Sequence, residues 1–294
     1  MPEGHTLHRL AGELTRAFGG RTVAVSSPQG RFADAAALLD GERLVDAQAW
    51  GKHLFVEFAG ERFVHIHLGL IGGMDVRTDV DPDVGVPPPV GQVRLRIATT
   101  DGPDGPDGPD GGALALADLR GAITCALVTA EQRAATLARS GPDPIRADAD
   151  PDRAWHRIRR SNRTIGALLM DQGVLAGVGN VYRAEVLFRN RLHPLRPGTT
   201  LRVGQWQAIW SDLVVLMAEG VVSGRIDTVR PEHTPEAMGR PPRRDDHGGE
   251  VYVYRRTGLP CLVCGRQVST AVLEGRNLFW CSRCQPVFRS RAVG

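Results

Sequence analysis

The chain has 294 residues, 42% of them hydrophobic, and 36 Lys+Arg against 33 Asp+Glu give a net charge of +3. That length offers room for two or three compact domains, and the apolar share excludes a disordered chain. So mild a basic excess does not by itself announce a polyanion partner, and no apolar run of about 18 residues provides a membrane span.

Charge is unevenly spread. Acidic residues gather in the middle, from Asp79, Asp81 and Asp83 to Asp101, Asp104, Asp107 and Asp110. The second half carries Arg157, Arg159, Arg160 and Arg163, then Arg240, Arg243, Arg244, Arg255 and Arg256. A basic C-terminal half is the footprint of a polyanion binder, although part of the arginine excess follows a general Ala, Gly, Arg, Asp and Pro bias. The start Met1-Pro2-Glu3-Gly4-His5 lacks the pattern of a signal peptide, so a cytoplasmic location with no membrane partner is expected. Five cysteines there read as metal ligands plus a spare.

Leu7, Leu10, Leu14 and Phe18 recur at helical spacing and predict a helix over Thr6–Phe18. From Val23 to about Val128 the pattern shortens to strand-like pieces, among them 54–58, 63–68, 93–97 and 123–128, with Gly60-Glu61 as hairpin chemistry. Many short strands with one helix predict a β-sandwich. Residues 101–112 repeat Asp-Gly-Pro, which neither packs a core nor pairs as a strand, and read as a flexible loop without a catalytic role. Beyond Gly141-Pro142-Asp143-Pro144 the pattern turns helical, over 154–158, 165–171, 181–188 and 204–217. A Pro-, Gly-, Arg- and Asp-rich stretch over 231–249 reads as a linker. The predicted architecture is α+β and multidomain. Residues 1–140 form a sandwich with flanking helices, 150–249 a helical domain and linker, and 250–294 a small cysteine-bearing unit.

The sharpest motif is Cys261-Leu-Val-Cys264, sixteen residues, then Cys281-Ser-Arg-Cys284. Two Cys-x-x-Cys turns supply the four thiolates of a tetrahedral site, which leaves no position for a catalytic water. One structural zinc ion is therefore expected. Cys125 reads as a buried apolar residue, and His65 and His67, alternating along one strand, are too few for a metal. Between two helices, Gly173, Gly177 and Gly179 crowd a turn, with Asn180 placed as an N-cap. This fits a plain helical hairpin as well as a phosphate-binding one. Pro2, freed by removal of Met1, would present a secondary amine able to attack a sugar carbon, with Glu3 beside it as a proton carrier. By itself a Pro-Glu start is unremarkable.

Taken together, Pro2-Glu3-Gly4, Gly51-Lys52-His53, His67-Leu68-Gly69-Leu70, Gly141-Pro142-Asp143, the turn 171–180 and the cysteine pairs resemble the formamidopyrimidine-DNA glycosylase/endonuclease VIII family, nearer its endonuclease VIII branch. The resemblance is collinear from residue 2 to residue 285. It implies a bifunctional DNA glycosylase/AP lyase of base-excision repair, a nucleoid-associated monomer acting on damaged DNA, with a helix–two-turn–helix DNA-binding domain and linker over 150–249 and a zinc ribbon, or zinc finger, over 250–294. It removes oxidised bases, pyrimidines by branch, through an N-terminal proline Schiff base and then β,δ-elimination. Pro2 is then the nucleophile and Glu3 the proton donor for base release. Lys52 meets phosphate and assists β-elimination, and Arg276 grips phosphate and assists δ-elimination. Asn180 and Arg139 are phosphate contacts. Leu70 is the wedge that fills the gap left by a flipped nucleotide, with Arg120 as a helper and nearby Ile71 as another wedge candidate. Two departures stand out: Thr6 occupies the place of a second glutamate, and Asp118-Leu119-Arg120-Gly121 replaces the family's Asp-Pro-Arg-Arg-Phe. The alternatives are an oxidised-purine glycosylase of the same family and a catalytically silent zinc-finger DNA-binding protein.

Overall fold

The computed structural model describes residues 2–81, 83–99, 114–244 and 249–289; the Asp-Gly-Pro segment 101–112 lies outside the described residues. By internal packing the chain divides into two units, Met1–Arg139 and Ser140–Gly294.

The first unit opens with helix α1 (Gly4–Phe18), whose Leu7, Leu10, Leu14 and Phe18 are all buried, as their spacing requires. It continues through β1 (Thr22–Ser26), α2 (Ala33–Leu39), β2 (Glu42–Trp50), β3 (His53–Phe58), β4 (Arg62–His67) and β5 (Gly73–Val80). After these come β6 (Val93–Thr99), β7 (Leu114–Arg120), β8 (Thr124–Thr129) and α3 (Ala130–Arg139). The strands form one antiparallel order, β5-β7-β6-β1-β2-β3-β4-β8. Its two four-stranded halves join at only two residue pairs of β1 and β2, Thr22↔Arg43 and Val23↔Glu42. Val23, Leu95, Ile97 and Ala117 of one half meet Leu54, Val56, Val64 and Ile66 of the other, with α1, in one core. Each such side chain contributes about 1.5–3 kcal/mol on burial, and this layered core is the predicted sandwich.

The second unit carries α4 (Pro151–Ile158), α5 (Ile165–Leu168), α6 (Asn180–Arg189), α7 (Val203–Ser223) and α8 (Pro235–Met238), then the hairpin β9 (Ser269–Leu273) and β10 (Arg276–Trp280). Asp150 caps α4 by accepting from the Asp152 amide, with Pro151 at the first helical position. One core joins helical residues such as Ile165, Leu187, Trp206 and Leu213 to ribbon residues Cys261, Phe279 and Cys281. The stretch read as a linker is tied down: Glu250 accepts from the Arg240 guanidinium at 2.7 Å and the Arg243 amide at 2.6 Å. Among the described residues no helix is long and apolar enough to cross a membrane.

Every residue of α6 from Asn180 to Phe188 is buried, Glu185 included. A buried carboxylate is tolerated only when its oxygens are engaged. Glu185 accepts from the backbone amides of Tyr252 (2.7 Å), Val253 (2.8 Å) and Tyr254 (2.8 Å), and from the Thr228 hydroxyl (2.6 Å). Replacing it leaves several buried donors without an acceptor. Glu185→Leu is expected to destabilise the second unit by about 3–5 kcal/mol, which urea unfolding followed by tryptophan fluorescence will measure. A loss below about 1 kcal/mol would contradict this account.

Candidate functional site

In the first unit Pro2 is partly exposed immediately ahead of α1, and Glu3 at the N-cap position is wholly buried. The Glu3 carbonyl accepts from the Thr6 amide at 3.0 Å, and the Thr6 hydroxyl lies 3.4 Å from Nε2 of buried His5. Lys52 sits with Gly51 in a two-residue turn, because Trp50 and His53 are paired across β2 and β3. Gly51 has φ 58°, the left-handed conformation such a turn demands and glycine supplies at least cost.

Three histidines follow that turn. His53 Nδ1 and His65 Nε2 are 2.9 Å apart, so one ring donates and the other accepts. The His67 ring lies edge-on to His53 at 5.3 Å, and its Nδ1 accepts from the Gly69 amide at 3.1 Å. Accepting at Nδ1 leaves the proton of neutral His67 on Nε2. Burial, then the neighbouring imidazoles and, for His53, Arg139 push His53 and His65 down to about 4. Burial and then the Lys52 charge lower His67 as well. Lys52 and exposed Arg139 thus both bear on a histidine cluster that is neutral near pH 7.

Leu70 is 55% exposed and Ile71 89%, at the tip of the loop between β4 and β5. Ile123, 66% exposed, packs so close that a Cβ on Gly69 would fall 2.8 Å from its side chain. Arg120 is engaged elsewhere: its guanidinium meets Asp75 (2.7 Å), Asp118 (2.9 Å) and the Val90 carbonyl (3.0 Å). Burial would raise the Asp118 carboxyl, but hydrogen bonds and charge from Arg96 and Arg120 hold it below its ordinary value.

In the second unit the N-cap of α6 is Gly179, and Asn180 is the first helical residue rather than the cap that its position suggests. Its side-chain amide donates 3.0 Å to the carbonyl of Asn277 on β10, which also accepts from Arg183 at 2.8 Å. Gln172 locks the glycine-rich turn, donating to the Met170 and Val178 carbonyls and accepting from the Gly177 amide. Gly141 lies against this turn so closely that a Cβ would stand 2.5 Å from the Val174 backbone, which explains a glycine in Gly141-Pro142-Asp143. Arg276 is exposed at the first position of β10, after a tight turn of Glu274 (φ 48°) and Gly275 (φ 72°). Arg163 braces that turn, reaching Asp171 at 2.7 Å and both Glu274 oxygens at 3.1 Å.

The sulfurs of Cys261, Cys264, Cys281 and Cys284 all lie within 4.8 Å of one another. The Cys261–Cys284 and Cys264–Cys281 pairs are 3.8 and 3.4 Å apart. Tetrahedral zinc with about 2.3 Å bonds needs sulfurs about 3.8 Å apart, so the cluster fits a structural zinc site. All four positions are filled by protein, so a metal there would brace the hairpin and not react.

Comparison with known proteins follows the same division. The formamidopyrimidine-DNA glycosylase N-terminal domain matches residues 1–125, its H2TH domain 140–230, and the zinc finger found in FPG and IleRS 258–287. Endonuclease 8 1 of Mycobacterium tuberculosis is 50% identical over 97% of this chain and 100% of its own length. The chain belongs to the formamidopyrimidine-DNA glycosylase/endonuclease VIII family. It is therefore a DNA glycosylase with lyase activity at apurinic or apyrimidinic sites. Probable endonuclease 8 2 of Streptomyces coelicolor is 31% identical, covering 97% of this chain and 94% of that protein. Lactococcus lactis Fpg, solved with DNA containing an abasic site, shares the fold at TM-score 0.74 and 21% identity, over 97% of this chain and 100% of that one.

Membership of this glycosylase family leaves several residues that sequence reasoning passed over. Ile123 was legible only as part of a strand. Arg163 stands in a polar run, and Glu274 is 111 positions away. His53 was read as part of a turn, and its partnership with His65 depends on strand register. Because folded His53 and His65 titrate near 4 and unfolded histidine near 6.5, the unfolded chain binds more protons between those values. Stability is therefore expected to be full above about pH 6.5, to fall as pH drops toward 4, and to level below. Denaturant unfolding across that window checks this, with a shallower slope expected for His65→Phe, whose ring would keep the stack on Phe55. Equal slopes would remove the pair as the cause.

Proposed function

We propose that Pro2, with Met1 removed, is the nucleophile of a glycosylase/lyase that excises oxidised bases, pyrimidines first, in base-excision repair. The observation that carries this reading is the placement of wholly buried Glu3 directly after Pro2 at the start of α1. The neutral Pro2 nitrogen attacks C1′ of the damaged nucleotide, and the glycosidic electron pair leaves with the base, which takes a proton delivered by Glu3. The nitrogen then sheds its N–H proton and the C1′–O4′ bond opens, O4′ taking a proton by way of Glu3, which leaves an open-chain sugar joined to Pro2 as an iminium of a secondary amine. Having no N–H proton to shed, it keeps its charge and acts as an electron sink. Loss of a C2′ proton then expels the 3′ phosphate, and a second elimination expels the 5′ phosphate.

Around that chemistry the remaining residues have positioning roles. Lys52 meets phosphate and assists the first elimination, with neutral His67 beside it, and Arg276 assists the second. Asn180 and Arg139 contact further phosphates, and Leu70 and Ile71 fill the gap left by the flipped nucleotide. Arg120 reaches that gap only by releasing Asp75 and Asp118. One zinc ion on the four cysteines would keep Arg276 in place. The preference for pyrimidines rests on the company of full-length relatives. By sequence, Endonuclease 8 1 and probable endonuclease 8 2 each match over 97% of the chain, whereas a Bacillus cereus formamidopyrimidine-DNA glycosylase, 33% identical, matches 51% of this chain and 52% of its own length.

Borohydride trapping on an abasic oligonucleotide tests the nucleophile. A covalent adduct is expected from the native protein and none from Pro2→Ala. No adduct from protein shown by N-terminal sequencing to begin at Pro2 would promote the silent DNA-binding alternative. Glu3→Gln is expected to slow release of an oxidised pyrimidine by about 10²–10⁴-fold while still cleaving a preformed abasic site, where no base remains to protonate. Faster excision of 8-oxoguanine than of 5-hydroxyuracil or thymine glycol would move the substrate to purines.

A further inference from the structure

A pocket of about 260 Å³ opens at the C-terminal end of α6, lined among others by Phe188, Arg189, Arg191, Arg230, Tyr252 and Val263. Asn180 begins that helix, so its ten residues, about 15 Å, separate the pocket from the Asn180 end. Phe188 and Tyr252 stack at 4.6 Å between centroids and are almost fully buried, which makes a rigid aromatic floor. The Tyr252 hydroxyl is engaged by the Arg230 amide at 2.9 Å and by His233 Nδ1 at 3.0 Å. Arg189 is held by both oxygens of Asp212 at 2.7 Å. Exposed Arg191 and Arg230, by contrast, have no carboxylate partner among the described residues.

Arg191 adds an independent signal. It occupies φ 55° just after α6, where the Leu192 amide closes back on the Leu187 carbonyl at 2.9 Å. Glycine is the usual residue in such a helix stop, yet here a long cation is held in the left-handed conformation at the mouth of the pocket.

We infer that this pocket binds an acidic peptide segment of a partner protein, which inserts one large apolar side chain onto the Phe188–Tyr252 floor and sets carboxylates on Arg191 and Arg230. The cationic groups lining the pocket are guanidiniums, which match carboxylates in a planar fork, and the His233 ring beside them is tied to Tyr252 through Nδ1. No lining carboxylate or side-chain amide is present to read the mixed donor and acceptor edge of a nucleobase. The volume suits one ring-sized side chain and falls below the usual range of about 300–1,000 Å³ for small-molecule sites. The chain's own last residues include Arg289 and Arg291 and carry the wrong charge for the pocket.

The test uses the whole zinc-loaded protein and a fluorescein-labelled peptide, Gly-Asp-Glu-Phe-Glu-Asp-Gly, followed by anisotropy. Saturable binding with Kd between about 1 μM and 1 mM is expected, weakened about tenfold or more when the peptide's Phe becomes Ala. Arg191→Glu and Arg230→Glu, each of which reverses a charge at an exposed lining position, should each weaken it about tenfold while leaving borohydride trapping intact. The proposal is overturned if no saturable binding occurs, or if both variants bind the peptide as the native protein does. It also fails if an abasic duplex displaces the peptide, which would place it on the DNA surface, or if dAMP binds more tightly than the peptide. Because trapping reads the catalytic site and anisotropy this pocket, failure of either reading leaves the other standing.

Discussion

The second unit depends on one carboxylate. Glu185, buried in the middle of α6, gathers three successive backbone amides and a hydroxyl, and so holds the bend at 251–254 against the helix. That segment leads directly into the first cysteine pair. The ribbon therefore hangs on the same helix that begins with Asn180, and the Asn277 carbonyl meets Asn180 and Arg183 at that other end. A charge that would be costly alone becomes the fixture that keeps a helix start and a hairpin in one frame.

The first unit solves a different problem, that of holding a cation next to groups of its own sign. Lys52 projects from the shortest common hairpin turn with its charge bearing on His67, while Arg139 bears on His53 in the same cluster of imidazoles. Were those imidazoles protonated, the region would repel itself. Burial, and the repulsion each imidazolium would meet from its neighbours, keep them neutral, so the positive charge of the region is confined to the lysine and arginine.

Much of this was legible in the sequence because the signals were local. Leu7, Leu10, Leu14 and Phe18 announced α1, and the cysteine spacing announced a metal site whose sulfurs converge. Helix α3 escaped because none of its residues is buried, so it carries no apolar stripe to read. Asn180 was misplaced by one position: side-chain chemistry favoured it as a cap, but a glycine with extended backbone took the place and freed its amide for Asn277. Arg163 and the His53–His65 pair depend on partners supplied by tertiary structure, to which periodicity is blind. Glu185 did leave a trace. A lone acid inside Val181-Tyr182-Arg183-Ala184-Glu185-Val186-Leu187-Phe188 marks a helix too apolar to be exposed and a charge that must be answered.

The two-residue turn of Glu274 and Gly275 has a further consequence. Side chains alternate across a strand, so inserting a single residue there would send Arg276 to the opposite face and shift Asn277 away from Asn180. The turn is thus a length gauge. The ribbon can drift in composition along its outer surface, where Val272 is 72% exposed, but a change in loop length moves Arg276 from the place the hairpin gives it.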